Sequence, residues 1–278
     1  VPYFARNLLM PIYTDQTGRN IDIPAVPRRI ISLVPSQTEF LYEIGLEDEV
    51  IGITKFCIHP NTWFQHKTRI GGTKDLHIDK IIALAPDLII ANKEENTALQ
   101  VLQLAEIFPV YTSDIANLPD ALNMMATIGL ITAKQEQATV ICTAIQAAFE
   151  ELKPSLVSAA PRTAYLIWKD PYMTVGGDTF IHDMLIRSGC NNIFSLHSRY
   201  PEITLQELKA AGVELLLLSS EPYPFREKHI KPLQAELPGT RIMLADGEYF
   251  SWYGSRLLGA PAYFARIMEM FSNTKACQ

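Results

Sequence analysis

Two stretches, "HIDKIIALAPDLIIAN" (His77–Asn92) and "ITLQELKAAGVELLLLSS" (Ile203–Ser220), share one local grammar. In the first, Ile78, Ile81, Ile82 and Ala85 fall on one face of a helix that stops at Pro86, and "DLIIA" then reads as a buried strand. A shift of 127 positions places Asp79 on Gln206, Ile81 on Leu208, Ala83 on Ala210, Asp87 on Glu214 and Leu88 on Leu215 without a gap. A helix-then-strand unit that occurs twice implies a duplication, and alternating helices and strands imply mostly parallel sheets. The expected fold is α/β, with two similar lobes joined by one long connecting helix.

Working outward, "RIISLVPSQTEFLYEIG" (Arg29–Gly45) reads as strand, break and helix, and "EVIGIT" as the next strand. Ser36-Gln37-Thr38-Glu39 has the S-x-x-E spacing of a capping box, so Ser36 is expected to cap the helix, with no base nearby to make it a nucleophile. The same strand-to-helix turn lies at the carboxyl end of a parallel sheet, where α/β proteins bind ligands. In the second half "RTAYLIW" reads as a strand and "GGDTFIHDMLIRSG" as a glycine turn and helix. Between the halves, Ile141, Ile145, Ala148 and Leu152 repeat at helical spacing in a stretch free of Gly and Pro, with Pro154 and Pro161 marking its exit. Some 20 residues at ~1.5 Å each give a helix roughly 30 Å long, whose stiffness predicts small lobe motions. The expected divisions are an extension at 1–27, a first α/β lobe at 28–117, a helical connector at 118–155 with its long helix near 133–152, and a second α/β lobe at 156–278.

A net charge of -6 excludes a basic nucleic-acid surface. No apolar run approaches the roughly 18 to 20 residues of a membrane span, and the first 20 residues lack the charged-then-apolar pattern of a signal peptide. Cys57, Cys142, Cys190 and Cys277 form no C-x-x-C or metal spacing, and the six histidines form no i, i+3 or i, i+4 pair. His59 and His66 flank Trp63, leaving His59 open as a ligand contact. Phosphate-loop, dinucleotide, H-E-x-x-H and G-x-S-x-G motifs are absent, and "RIGGTKD" reads as a turn.

The stretches "RIISLVPSQTEFLYEIGLEDEVIGIT", "RIGGTKDLHIDKIIALAPDLIIA", "TVGGDTFIHDMLIRSGCNNIF", "EITLQELKAAGVELLLLSS" and "FSWYGSRLLGAPAYFARI" resemble, in order, the helical-backbone (class III) periplasmic binding proteins of cobalamin, haem and ferric-siderophore ABC importers. The P-S-x-T-E turn and the W-x-x-x-R arrangement at Trp252 and Arg256 are most similar to the cobalamin branch. The resemblance implies a non-catalytic monomer, without resident cofactor, that clamps a corrinoid, haem or siderophore chelate between its lobes. It would deliver that ligand to an ABC permease from the periplasm or from a lipid anchor facing it. Broad apolar ligands need aromatic walls and a few polar groups. Phe56, His59, Trp63, Trp168, Tyr172, Trp252, Tyr253 and Arg256 are the candidates, with Phe250 beside them. Family members dock by one acid per lobe, at the positions of Asp79 and Gln206. The latter is uncharged here, although Glu207 adjoins it. Two other readings stay open: a tetrapyrrole chelatase-like enzyme using His59 or His182, and a binding module without a permease.

Overall fold

The computed structural model describes residues 12–152 and 160–275, so the readings placed on residues 1–11, Pro154 and Cys277 lie outside the described residues. The chain divides into two units. The first runs to Asp114 and adds Asn123–Thr139; the second comprises Ile115–Leu122 and everything from Val140 onward.

The first unit opens on an antiparallel hairpin, β1 (Ile12–Thr14) and β2 (Asn20–Asp22). Its sheet contains β3 (Ile30–Ser32), β4 (Val50–Ile53), β5 (Thr68–Arg69), β6 (Leu88–Asn92) and β7 (Val110–Ser113), all parallel, in the order β5-β4-β3-β6-β7. Ile30, Ile31, Ile89 and Ile90 are wholly buried, as expected of strands covered on both faces, which read as continuous apolar runs. The helices are α1 (Pro35–Glu43), α2 (Asn61–His66), α3 (Ile78–Leu84) and α4 (Ala98–Ala105). The hairpin straps the edge strand β7. Buried Asp15 accepts from the backbone N–H groups of Thr17 and Arg19 at 2.9 Å and pairs with the Arg19 guanidinium, which donates to Thr112 Oγ1 at 2.6 Å.

The start of α1 corrects the sequence reading. The cap residue is Val34, no side chain caps the helix, and Ser36 lies inside the first turn behind Pro35. Proline's fixed φ suits the first helical position and needs no N–H there, so the helix starts before the serine. The S-x-x-E spacing was therefore displaced by the proline. The exit is as expected: Gly45 adopts φ +77, a conformation open to glycine. On α3, Ile81 is buried while Ile82 of the expected apolar face is 42% exposed.

Where the connector is expected, α5 (Leu118–Ile131) precedes the long helix α6 (Gln135–Leu152), and each has residues assigned to both units. They are separated by a turn at Ala133, whose φ is +55. A Cβ on Gly129 would lie 2.4 Å from that of Ala138, so glycine permits the two helices to approach. Within α6, Ile145 and Leu152 of the expected stripe are buried and Ile141 and Ala148 half-buried, while Ala138 and Phe149 are buried beside them.

The second unit contains β8 (Arg162–Leu166), β9 (Tyr172–Met173), α7 (Phe180–Arg187), β10 (Asn191–Asn192), β11 (Glu202–Ile203), α8 (Leu205–Ala210), β12 (Leu215–Ser219), α9 (Ile230–Glu236), β13 (Arg241–Ala245), α10 (Glu248–Ser251) and α11 (Ala260–Lys275). Its parallel sheet has the order β10-β8-β12-β13, and β9 and β11 form a separate antiparallel pair. Ala164, Leu166, Leu208, Leu216, Leu218 and Leu233 pack as its core.

The 127-residue offset recurs in three dimensions: α3 and β6 start at Ile78 and Leu88, α8 and β12 at Leu205 and Leu215. A clamp unread from the sequence recurs with them. The Arg29 guanidinium donates to the carbonyls of Leu84 and Ala85, at the end of α3, while its backbone N–H donates to Asp87 at 2.9 Å. Arg162 does the same to Ala211 and Gly212, at the end of α8, and its N–H donates to Glu214 at 2.9 Å. A cation at a helix carboxyl terminus satisfies its unpaired carbonyls and opposes its dipole.

Candidate functional site

Parallel strands end together, and the loops leaving their carboxyl ends carry side chains free of the packing that builds the sheet. In the first unit, the loop after β4 presents Lys55 and Phe56, the latter 51% exposed. Beneath them Cys57 is fully buried between the Thr38 and Thr54 hydroxyls, each 3.1 Å from its sulfur, and burial pushes its thiol above the ordinary value. His59 follows in the same loop, half-buried.

Trp63 belongs elsewhere. It sits on the short helix α2, not in a loop, and is 1% exposed. Its indole N–H donates to Glu47 at 2.9 Å, Tyr42 meets its ring edge-on and the Lys67 ammonium lies 5.1 Å from its centroid. Glu47 precedes β4, at the amino ends of the strands, so Trp63 anchors the connection out of α1 and presents no face to a ligand at the carboxyl edge. An open groove of about 400 Å³ lined by Arg19, Ile21, Phe108 and Val110 also lies at that amino end and contains none of the candidates.

In the second unit the candidates gather around a tripeptide that the sequence reading missed, Glu221-Pro222-Tyr223, which leaves the end of β12. Tyr223 packs edge-on against Trp168, which follows β8 and is 40% exposed; the ring centroids are 5.8 Å apart. His229 backs Tyr223, accepting from the Arg226 N–H at 2.9 Å. Half-buried Tyr172 pairs with Ile203 across β9 and β11. Glu221 takes the other side: one carboxylate oxygen accepts from the Trp252 indole N–H at 2.9 Å and from the Ser251 hydroxyl at 2.6 Å. The Arg256 guanidinium lies 5.1 Å from the Trp252 ring centroid and pairs with Glu248 at 2.9 Å. Trp252 is thus 7% exposed, with its edge and one face engaged, and Tyr253 and Phe250 are likewise buried, Tyr253 against Phe180.

The turn Asp246-Gly247-Glu248 closes the cluster. A Cβ on Gly247 would come within 2.6 Å of Glu221 Cγ, so glycine is what brings the acids close. Burial raises the Glu221 pKa above its ordinary value; the Ser251 bond opposes this, and the charges of Glu248 and Asp246 add to it. The sign "SSEPY", an acid and an aromatic shortly after a strand of four leucines and a serine, was available in the sequence but carried no recognised motif. Among the described residues no group of three or more His, Cys, Asp and Glu is arranged to hold a metal ion. His182 is occupied near Asn192, 3.1 Å from its Nδ1.

The expected docking positions are exposed: Asp79 in the first turn of α3, Gln206 in that of α8. Glu207 is committed instead to a capping box, its carboxylate accepting from the Thr204 N–H at 2.7 Å while Thr204 Oγ1 accepts from the Glu207 N–H at 3.2 Å. The Thr204 bonds hold its carboxyl below the ordinary value. The box sought at Ser36–Glu39 is realised here, where threonine stands directly before the helix.

A model of the family described as "Periplasmic binding protein" matches residues 30–241. The chain belongs to that family. It is 26% identical over 196 residues to the vitamin B12-binding protein of Vibrio campbellii, a match covering 69% of this chain and 70% of that protein. It is 26% identical over 180 residues to the uncharacterized ABC transporter substrate-binding lipoprotein YvrC of Bacillus subtilis, covering 62% of this chain and 57% of that one. The crystal structure of the periplasmic vitamin B12 binding protein of Vibrio cholerae superposes with a TM-score of 0.76 at 19% identity, over 89% of this chain and 98% of the other, which shows a shared fold. No helix among the described residues is long and apolar enough to cross a membrane.

Proposed function

We propose that the chain is the substrate-binding protein of an ABC importer and that its ligand is a corrinoid, bound at the carboxyl edges of its sheets. The vitamin B12-binding relative supports this ligand class. The observation that carries it is the second unit's edge, where the exposed ring of Trp168 adjoins a cluster whose arginine is already paired. Glu221, Glu248 and Asp246 gather there around Arg256. A corrin ring bears amide side chains, whose N–H groups carboxylates accept, and a broad apolar face that an aromatic ring covers. Haem bears two carboxylates, which like charges at this edge would repel.

The chain then acts by capture and delivery without a catalytic step, and any metal arrives within the ligand. Delivery occurs on the periplasmic side or from a lipid anchor facing it, as a monomer. Asp79, Gln206 and Glu207 mark the surface offered to the permease, with Asp79 carrying the free acid and Glu207 held by Thr204. Thermal unfolding with cyanocobalamin, haemin and a ferric siderophore in parallel tests the reading. Cyanocobalamin is expected to raise the melting temperature in proportion to its concentration. A response to haemin or the siderophore with none to cyanocobalamin would overturn it.

A further inference from the structure

Each unit places a cation against an aromatic ring at the carboxyl edge of its sheet, Lys55 in the first and Arg256 in the second, and these two differ in whether a carboxylate pairs them. Arg256, over Trp252, is paired with Glu248. Lys55 has its ammonium 5.2 Å from the Phe56 ring centroid, is exposed, and has no carboxylate partner among the described residues. The other lysines of that edge are engaged: Lys93 with Asp114, and Lys74 with the carbonyl of Glu94.

Lys55 is also held in place. Its backbone N–H donates to the Gly71 carbonyl at 2.8 Å. A Cβ on Gly72 would lie 3.2 Å from both Lys55 Cε and Phe56 Cε2, so stem and ring rest on the bare backbone of that glycine. A lysine serving only solubility needs no such seat. An exposed ammonium on an exposed aromatic face presents an apolar surface and a positive charge together, which suits a ligand that is flat in one part and anionic in another.

We infer that Lys55 is a specificity-determining residue that receives an anionic group of the ligand. The inference rests on the corrinoid reading, under which that group is the phosphodiester linking the nucleotide to the corrin ring. Lys55, which has no carboxylate partner among the described residues, then takes the one fixed negative charge of such a ligand.

The experiment compares cyanocobalamin with dicyanocobinamide, which lacks the phosphodiester and nucleotide, by titration calorimetry at low and high salt. Wild type is expected to prefer cyanocobalamin, and Lys55→Met, which keeps the stem over Phe56, to lose about three- to tenfold of that preference. Lys55→Arg is expected to restore it, and added salt to reduce it in wild type but not in Lys55→Met. A Lys55→Met protein that keeps the wild-type preference, or that weakens both ligands equally, would overturn the role of Lys55 while leaving the corrinoid reading intact. Binding of neither corrinoid by wild type would overturn both.

Discussion

The segments Ile78–Asn92 and Leu205–Ser219 are the same construction built twice, yet the loops beyond their strands have little in common. In both, a short helix is held at its carboxyl end by an arginine that also begins a neighbouring strand, and the next strand is buried throughout. At the end of β6 in the first unit Asn92 donates, as Gln37 does, to the Ser113 hydroxyl, and the next residue, Lys93, pairs with Asp114. Beyond β12 the second continues into Glu221, Tyr223 and the acids around Arg256. Packing constrains the amino ends and the strands, because one altered apolar residue there leaves a cavity or a clash. The carboxyl edges lie outside that constraint and have diverged.

Two tryptophans give the sharpest way to break this comparison. Trp63→Ala removes a buried ring and leaves Glu47 without its donor, so a loss of about 3 to 5 kcal/mol in urea unfolding is expected, with no change in corrinoid affinity beyond that caused by unfolding. Trp168→Ala should do the opposite, leaving stability within about 1 kcal/mol while weakening cyanocobalamin binding at least tenfold by calorimetry. If Trp63 proves the binding residue, the assignment of ligand contacts to the carboxyl edges is wrong.

The arginine clamps come next. Arg29→Ala and Arg162→Ala should each cost about 1 to 2 kcal/mol, since each removes hydrogen bonds to helix-end carbonyls. Costs that differ severalfold would show that the repeat is one of shape and not of energetics. At the other end of the same helices the units are expected to differ. Thr204→Ala removes a complete capping box and should cost about 1 kcal/mol, whereas His77→Ala, at a position without a side-chain cap, should cost almost nothing. Equal costs in chemical denaturation would erase that distinction.

The smallest expected effect is a pH dependence. A carboxyl whose folded pKa is raised binds a proton more readily folded than unfolded, so its ionisation detracts from stability as pH rises from the ordinary glutamate range through the folded value. Glu221→Gln keeps an acceptor for Trp252 and Ser251 without the charge. It is therefore expected to raise the melting temperature more at pH 7.5 than at pH 4.5. An equal shift at both values would mean that burial and the neighbouring acids do not perturb Glu221.

What was legible in the sequence follows the same division. The parallel strands, the duplicated helix and strand, and the apolar stripe of α6 could be read because burial writes itself as runs and periods. The site was read less well, because residue type does not say which way a ring faces. Trp63 and Trp168 look alike in sequence, and only the position of Glu47 and Tyr223 distinguishes a packed indole from a half-exposed one. Ser36 failed for a local reason: Pro35 took the first helical position and moved the cap to Val34. Glu221 and Tyr223 escaped because their role comes from partners 31 and 55 residues away in the chain, Trp252 and Trp168.

The hairpin at the start of the first unit covers the edge strand β7. β7 is an edge strand whose free backbone groups could template pairing with another molecule, and the strap over it is fastened by the Asp15 carboxylate, by Arg19 and by Gln16, whose backbone N–H donates to the Thr112 carbonyl at 3.2 Å and whose Oε1 accepts from the Asp114 N–H at 3.0 Å. Burial pushes the Asp15 pKa upward, but bonds from Thr17 and Arg19 and the Arg19 charge outweigh this and leave it below its ordinary value of 3.8. The Asp15 part of the fastening is therefore intact above the ordinary carboxylate range and is released only as pH falls through the depressed folded value. Aggregation seeded along β7 should begin in strong acid, where the Asp15 contribution to the strap is lost, and be absent at neutrality.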